Sequence, residues 1–186
     1  KMLLDDDDFF LLDEVWEYGF DDGIRTIPAD VVTDQAIQAW DEGPEKMVVH
    51  YMQPHHPFVP NPMDEGMPLH EFGQQPWDNV WHKLRKDEVE REAVWDGYVA
   101  NLDYVLDHVG TLLDNTEGEV LITADHGNLL GEWGMYAHPD WVPLKALKRV
   151  PWVKTTAENV GSYSPVDHRG EQEVDRKEQL EALGYR

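Results

Sequence analysis

Residues 119–138 read Glu-Val-Leu-Ile-Thr-Ala-Asp-His-Gly-Asn-Leu-Leu-Gly-Glu-Trp-Gly-Met-Tyr-Ala-His, and no other stretch restricts the fold as tightly. The apolar, β-branched run at 120–123 reads as a buried strand of the α/β kind. Ligands gather at the carboxyl ends of such strands, where loops leave the sheet. Asp125 and His126 stand at that end. A carboxylate oxygen beside a neutral imidazole suits a divalent cation. The same tripeptide also suits a plain turn, with Asp125 capping the backbone that follows it. Gly127 lets the chain reverse without a side chain crowding the spot.

The rest of the chain supplies helices and few strands. Residues 10–19 predict a short amphipathic helix stopped by Gly19, and residues 28–41 a helix opened by Pro28 and ended by Gly43-Pro44. Residues 46–52, Lys-Met-Val-Val-His-Tyr-Met, predict a strand. It runs into Gln53-Pro54-His55-His56-Pro57-Phe58, a stiff loop with two imidazoles. Residues 59–85, rich in Pro and Gly, predict a long irregular excursion. A long helix is predicted over 87–113, where Trp95, Tyr98, Val99, Leu102, Val105, Leu106, Val109, Leu112 and Leu113 keep a helical stripe. Beyond the central strand, 129–133 predicts a short helix, 149–154 a strand, 155–169 loop and 172–183 a charged surface helix. Strands alternating with helices imply an α/β layer with parallel strands. Residues 5–8, four successive Asp, read as a solvated acidic turn, because four adjacent side chains do not converge on one ion.

Taken together, Thr123-Ala124-Asp125-His126-Gly127, Leu130-Gly131-Glu132, Tyr136-Ala137-His138-Pro139 and Arg149-Val150-Pro151-Trp152 resemble the sulfatase family of the alkaline-phosphatase superfamily. Thr-Ala-Asp-His-Gly-Asn is also similar to cofactor-independent phosphoglycerate mutases of that superfamily, and the Leu-Gly-Glu continuation favours the sulfatase branch. The match runs over residues 46–154, within one domain spanning 1–186. It implies a partial sulfatase-like sheet flanked by helices, lacking the family's N-terminal half. The resemblance makes Asp125 and His126 ligands of a divalent metal: calcium, magnesium, manganese or zinc. It turns His55 toward the sulfate or phosphate group of a small anionic ester, with His56 the variable neighbour. It places His138 near the offset at which related hydrolases touch the anion, although Ala137-His138-Pro139 is equally compatible with a turn. Asp103 and Asp107 match helix-surface positions, not ligands.

Composition narrows the partners. With 38 acidic residues against 15 basic, the formal charge is −23, which repels nucleic acid and anionic membranes alike. Such a surface resembles proteins of extremely salty cytoplasm, where salt screens self-repulsion. Hydrophobic residues make up 41 % and Trp numbers 8, enough apolar material for a core. The first residues read as neither signal peptide nor membrane span, and no later stretch reaches spanning length, so a soluble cytoplasmic protein is expected. The chain has no cysteine. That removes disulfides and thiolate metal sites. It also removes the residue from which the family most often makes its formylglycine nucleophile.

No Cys-x-Pro-x-Arg or Ser-x-Pro-x-Arg motif is present; Ser162 and Ser164 lie far downstream, and Ser164-Pro165 has no Arg in register. Nor does a strand ending in paired Asp precede residue 46. Hydrolysis needs a nucleophile beside the ion and more than two ligands on it. The expectation is therefore a truncated piece, a split gene product completed by a companion chain, or a member that has lost activity. Two alternatives stay open: another enzyme of the superfamily, a phosphomutase or phosphodiesterase, and a non-catalytic α/β binding or scaffold protein.

Overall fold

The computed structural model describes residues 9–63 and 79–169. In chain order the elements are helices α1 (Trp16–Gly19), α2 (Ala29–Asp41), α3 (Val80–Arg85) and α4 (Arg91–Leu113), then strands β1 (Gly118–Thr123) and β2 (Leu129–Leu130). A 3-10 turn (Glu132–Gly134), strand β3 (Tyr136–Ala137), helix α5 (Lys145–Lys148) and strand β4 (Trp152–Ala157) follow.

Two helices form the scaffold. In α2 every residue from Ala29 to Ile37 except Asp30 is buried, so this helix runs through the interior and not along its edge. It packs against α4, and the Tyr104 hydroxyl of α4 accepts the backbone N–H of Ala29 at 3.0 Å. Helix α4, about 34 Å long at 1.5 Å per residue, buries Val94, Gly97, Asn101 and Val105 in one stripe. Gly97 is required by close packing: a Cβ there would stand 2.6 Å from Phe58 Cδ2. Phe58 is fully buried in a cluster with Val80, Trp81, Leu84, Val94 and Leu130, and burying a ring of this size is worth roughly 1.5–3 kcal/mol. The loop carrying His55 and His56 is thereby anchored on α4.

The sheets are small and antiparallel. β1 pairs with β4 from Gly118↔Ala157 to Thr123↔Trp152, and β2 with β3 through Leu129↔Ala137 and Leu130↔Tyr136. The expected parallel layer is thus corrected among the described residues: the class is mixed α/β, and both ladders are antiparallel. Residues 124–151, between β1 and β4, hold the short β2–β3 hairpin, the 3-10 turn and the one-turn α5, and no helix long enough to carry a parallel crossover. Residues 129–133, expected as a helix, instead form β2 and the turn after it. Gly131 takes φ 115° there, and the Glu132 carboxylate accepts the Leu130 N–H at 2.7 Å.

Other expectations shift too. The final strand lies at Trp152–Ala157, three residues beyond the predicted 149–154. Only Trp16–Gly19 of the 10–19 stretch is helical, with Phe10 84 % exposed. Residues 46–52 form no regular element, although they alternate in exposure from Met47 to Tyr51, and have no ladder partner among the described residues. The excursion at 59–85 ends in a helix, because Asn79 caps α3 by accepting the N–H groups of Trp81 and His82 at 3.0 and 3.1 Å and Val80, Trp81 and Leu84 reach the core. The readings of residues 5–8 and of the helix at 172–183 lie outside the described residues. No described helix is long and apolar enough to cross a membrane.

A candidate site of three histidines and a carboxylate

The four residues singled out from sequence come from three separate segments and meet at one end of β1. Asp125 and His126 follow β1 directly, His138 follows β3, and His55 arrives on the Phe58 loop. The His126 and His138 ring centroids are 4.4 Å apart, those of His55 and His138 5.6 Å. Asp125 Oδ2 lies 3.5 Å from His126 Nε2, with the two side chains 68 % and 38 % exposed. His138 is exposed as well.

Buried polar groups hold these parts in place. Asn101, fully buried in the apolar stripe of α4, donates from Nδ2 to the His55 carbonyl at 3.0 Å and accepts the Val59 N–H through Oδ1 at 3.1 Å. Gln53 Nε2 donates to the Ile27 carbonyl at 2.9 Å. Gly127 is needed for space: its N–H reaches the Leu147 carbonyl at 3.1 Å, and a Cβ would lie 2.0 Å from the Ala146 carbonyl oxygen. The close approach of α5, and not a left-handed backbone, is what demands glycine there.

The rings are set by what they bond. His126 Nδ1 meets the Gly127 carbonyl at 3.0 Å, and His55 Nδ1 meets the His56 carbonyl. A carbonyl only accepts, so both Nδ1 atoms carry hydrogen and both Nε2 atoms keep their lone pairs when the rings are neutral. Burial lowers the His55 pKa; the His56 carbonyl opposes this, and the neighbouring His138 and His126 lower it further. His56 stacks on His55 at 4.4 Å and is buried. Burial, then the neighbouring His55 and His138, push its pKa down to about 3. It accepts the Trp81 Nε1–H at 3.0 Å through Nδ1, which assigns its hydrogen to Nε2. Tyr98 on α4 is held protonated chiefly by burial; an Asn128 side-chain bond opposes this and the Asp125 charge reinforces it.

The donor set, one carboxylate and up to three imidazoles, is chemically suited to a divalent cation. Asp125 Oδ2 and His126 Nε2 stand as two donors of one edge. Among the described residues, no three His, Asp or Glu groups are already gathered on a single point. Asp125 Oδ1 also accepts the His126 N–H at 2.8 Å, so one oxygen of the carboxylate serves the turn while the other faces His126 Nε2. Sequence reading missed Asn101, Trp81, Tyr98 and Asn128. Asn101 had a legible signal, a polar residue at the apolar spacing of a long helix; Trp81 had none apart from its Asn79 cap. No family model, no curated protein and no solved structure matches this chain.

Proposed function

We propose that this chain carries the cation- and anion-binding end of a sulfatase-like, metal-dependent hydrolase of small sulfate or phosphate esters. The supporting observation is convergence: His55, His126 and His138, separated in sequence by up to 83 positions (138 minus 55), stand with Asp125 within one cluster. Chance placement of surface histidines gives no reason for a buried asparagine, a stacked second imidazole and a glycine-only turn to hold that cluster.

On this reading Asp125 and His126 hold the ion, and His55 and His138 line the place where the ester's anionic group sits. A bound divalent ion would supply Lewis-acid polarisation of an ester oxygen. The chain's own residues orient the anion and limit water on the His55 side, where Phe58, Trp81 and His56 form a buried floor. The nucleophile is not among the 186 residues in the family's motif, so turnover is expected only when a companion segment supplies it.

Calorimetric titration of the full chain with divalent chlorides, followed by inorganic sulfate or phosphate, tests the reading. One cation per chain is expected, with the anion binding only to the loaded form, and Asp125→Ala is expected to abolish both. No cation uptake, or uptake unchanged in Asp125→Ala, overturns it in favour of a non-catalytic scaffold. Aryl sulfate against aryl phosphate hydrolysis by the complemented protein separates a sulfatase from a phosphomutase- or phosphodiesterase-like relative.

A further inference from the structure

Strand β1 is paired on one side only. Its register with β4 runs from Gly118↔Ala157 to Thr123↔Trp152, and no third strand joins them among the described residues. Every residue of β1 is exposed or half-buried, Leu121 at 42 %, although Val120, Leu121 and Ile122 are the residues of a covered strand. In an antiparallel ladder alternate residues turn their N–H and C=O groups away from the partner. Those of residues 118–123 that turn away from β4 meet no backbone group among the described residues. An open row of this kind is a template for another strand.

The two edges of this sheet are not alike. β4 carries Lys154 in mid-strand and has Pro151 just before it, and lysine or proline discourages a further strand. β1 has neither. Its one charge is Glu119, with Glu117 just before the strand and Asp125 two residues after it, all three exposed. These carboxylates frame an apolar centre. A segment of about nine residues, at about 3.4 Å each, is long enough to face all of them.

A second copy of this chain is a poor occupant. Antiparallel self-pairing about Leu121 sets Glu119 opposite Thr123 and Glu117 opposite Asp125 at each end, and parallel pairing in register sets each carboxylate opposite itself. Like charges directly opposite destabilise a ladder, and each copy brings a formal charge of −23. We infer that the free edge of β1 docks one extended segment of a different polypeptide, β-branched at its centre and carrying Lys or Arg at both ends. Main-chain bonds give such an added strand its affinity, and the flanking charges give it selectivity. The inference concerns backbone pairing, so it goes beyond the hydrolase reading and holds or fails separately from it.

The test is amide hydrogen exchange of the full chain, followed by NMR at the lowest potassium chloride concentration that keeps it folded, where charges are least screened. The probe is a synthetic nine-residue peptide of alternating Val and Thr with two Lys at each end; a second peptide has Glu in place of Lys. In the chain alone, the amides of residues 118–123 that turn away from β4 are expected to exchange fast. The Lys peptide is expected to slow them by at least about tenfold and to bind roughly three- to tenfold tighter than the Glu peptide. Glu119→Lys, at an exposed position, keeps the fold and is expected to narrow that preference. Amides already protected in the monomeric chain overturn the inference, because the chain then covers its own edge. Protection that grows with chain concentration in the absence of peptide makes the occupant a second copy and overturns it too. So does protection by both peptides equally, protection by neither, or a preference unchanged in Glu119→Lys.

Discussion

Two Asp–His pairs among the described residues are built in opposite ways. Asp125 and His126 are sequence neighbours, 3.5 Å apart, with 68 % and 38 % of their side chains exposed. Asp34 and His168 are 134 positions apart, yet Nε2 and Oδ2 meet at 2.7 Å with 23 % exposure on the histidine and 3 % on the carboxylate. The buried pair belongs to a strap. After β4, residues 158–169 cross back over α2: Glu158 and Val160 N–H groups bond the Leu113 and Asp114 carbonyls, Tyr163 N–H bonds Asn115 Oδ1 at 3.0 Å, Gln38 Nε2 reaches the Val166 carbonyl at 2.8 Å, and Arg169 Nε reaches Gln35 Oε1 at 2.7 Å. There the fold uses the pair's hydrogen-bonding capacity to fasten itself. At the β1 end it uses the backbone and one nitrogen, and Asp125 Oδ2 and His126 Nε2 face each other at 3.5 Å near the surface. Residue type alone does not distinguish a fastening from a site; what the fold has already consumed does.

The contrast is broken most forcefully from the buried side. His168→Leu leaves the Asp34 carboxylate inside without its partner, and removing one member of a buried pair costs about 3–5 kcal/mol. Urea unfolding should show that loss; a change below about 1 kcal/mol would mean that the strap is incidental to α2. Next comes Gly127→Ala. Its Cβ meets a carbonyl oxygen, not a flexible side-chain tip, so the Asp125–His126 turn or α5 must move, at about 3 kcal/mol. The expected readout is a lowered unfolding midpoint together with lost cation uptake, and an unchanged midpoint would refute the close approach.

A third measurement separates the floor of the site from its rim. His56 titrates near 6.5 in an unfolded chain and at about 3 when folded. Above pH 6.5 neither state takes the proton. As pH falls below 6.5 the unfolded state binds a proton that the folded one refuses, so stability is lost progressively down to about pH 3. At pH 4.5 the loss amounts to roughly 2–3 kcal/mol. Unfolding midpoints from pH 7.5 to 4.5 should show this slope in the wild type and a shallower one in His56→Gln. Equal slopes would count against a buried neutral ring.

How much of this was legible beforehand follows the same division. Local signals carried far. The periodic stripes place α2 and α4 within a few residues, and the apolar run places β1, although that strand is exposed or half-buried and not the buried strand expected. Asp125 and His126 stand out by residue type and loop position, His55 and His138 through the family resemblance. What failed was non-local. Residues 46–52 have a strand's alternation without a neighbouring strand among the described residues to pair with. The direction of β4 against β1 depends on the chain between them, which the alternation of elements does not encode. The Asp34–His168 pair was invisible because Asp34 sits at an ordinary polar position of a helical pattern and its partner lies in a stretch read only as loop. Asn79, a capping residue at the edge of a Pro- and Gly-rich segment, was outweighed by its neighbours' composition.

The smallest expected effect is the most telling about the exposed pair. Asp125→Ala removes an open carboxylate whose structural bonds are one adjacent N–H and a long contact to a half-exposed imidazole. Surface changes of this kind fall within about 0.5 kcal/mol, so the unfolding midpoint of the cation-free chain should barely move. Cation uptake, by contrast, should vanish. Under the opposite arrangement, with Asp125 serving chiefly as a cap for the turn after β1, the midpoint would drop by about 1 kcal/mol and any cation uptake would persist. The two outcomes differ in both readouts, so one variant measured two ways decides whether the pair at the end of β1 was left open for a ligand or merely finishes a strand.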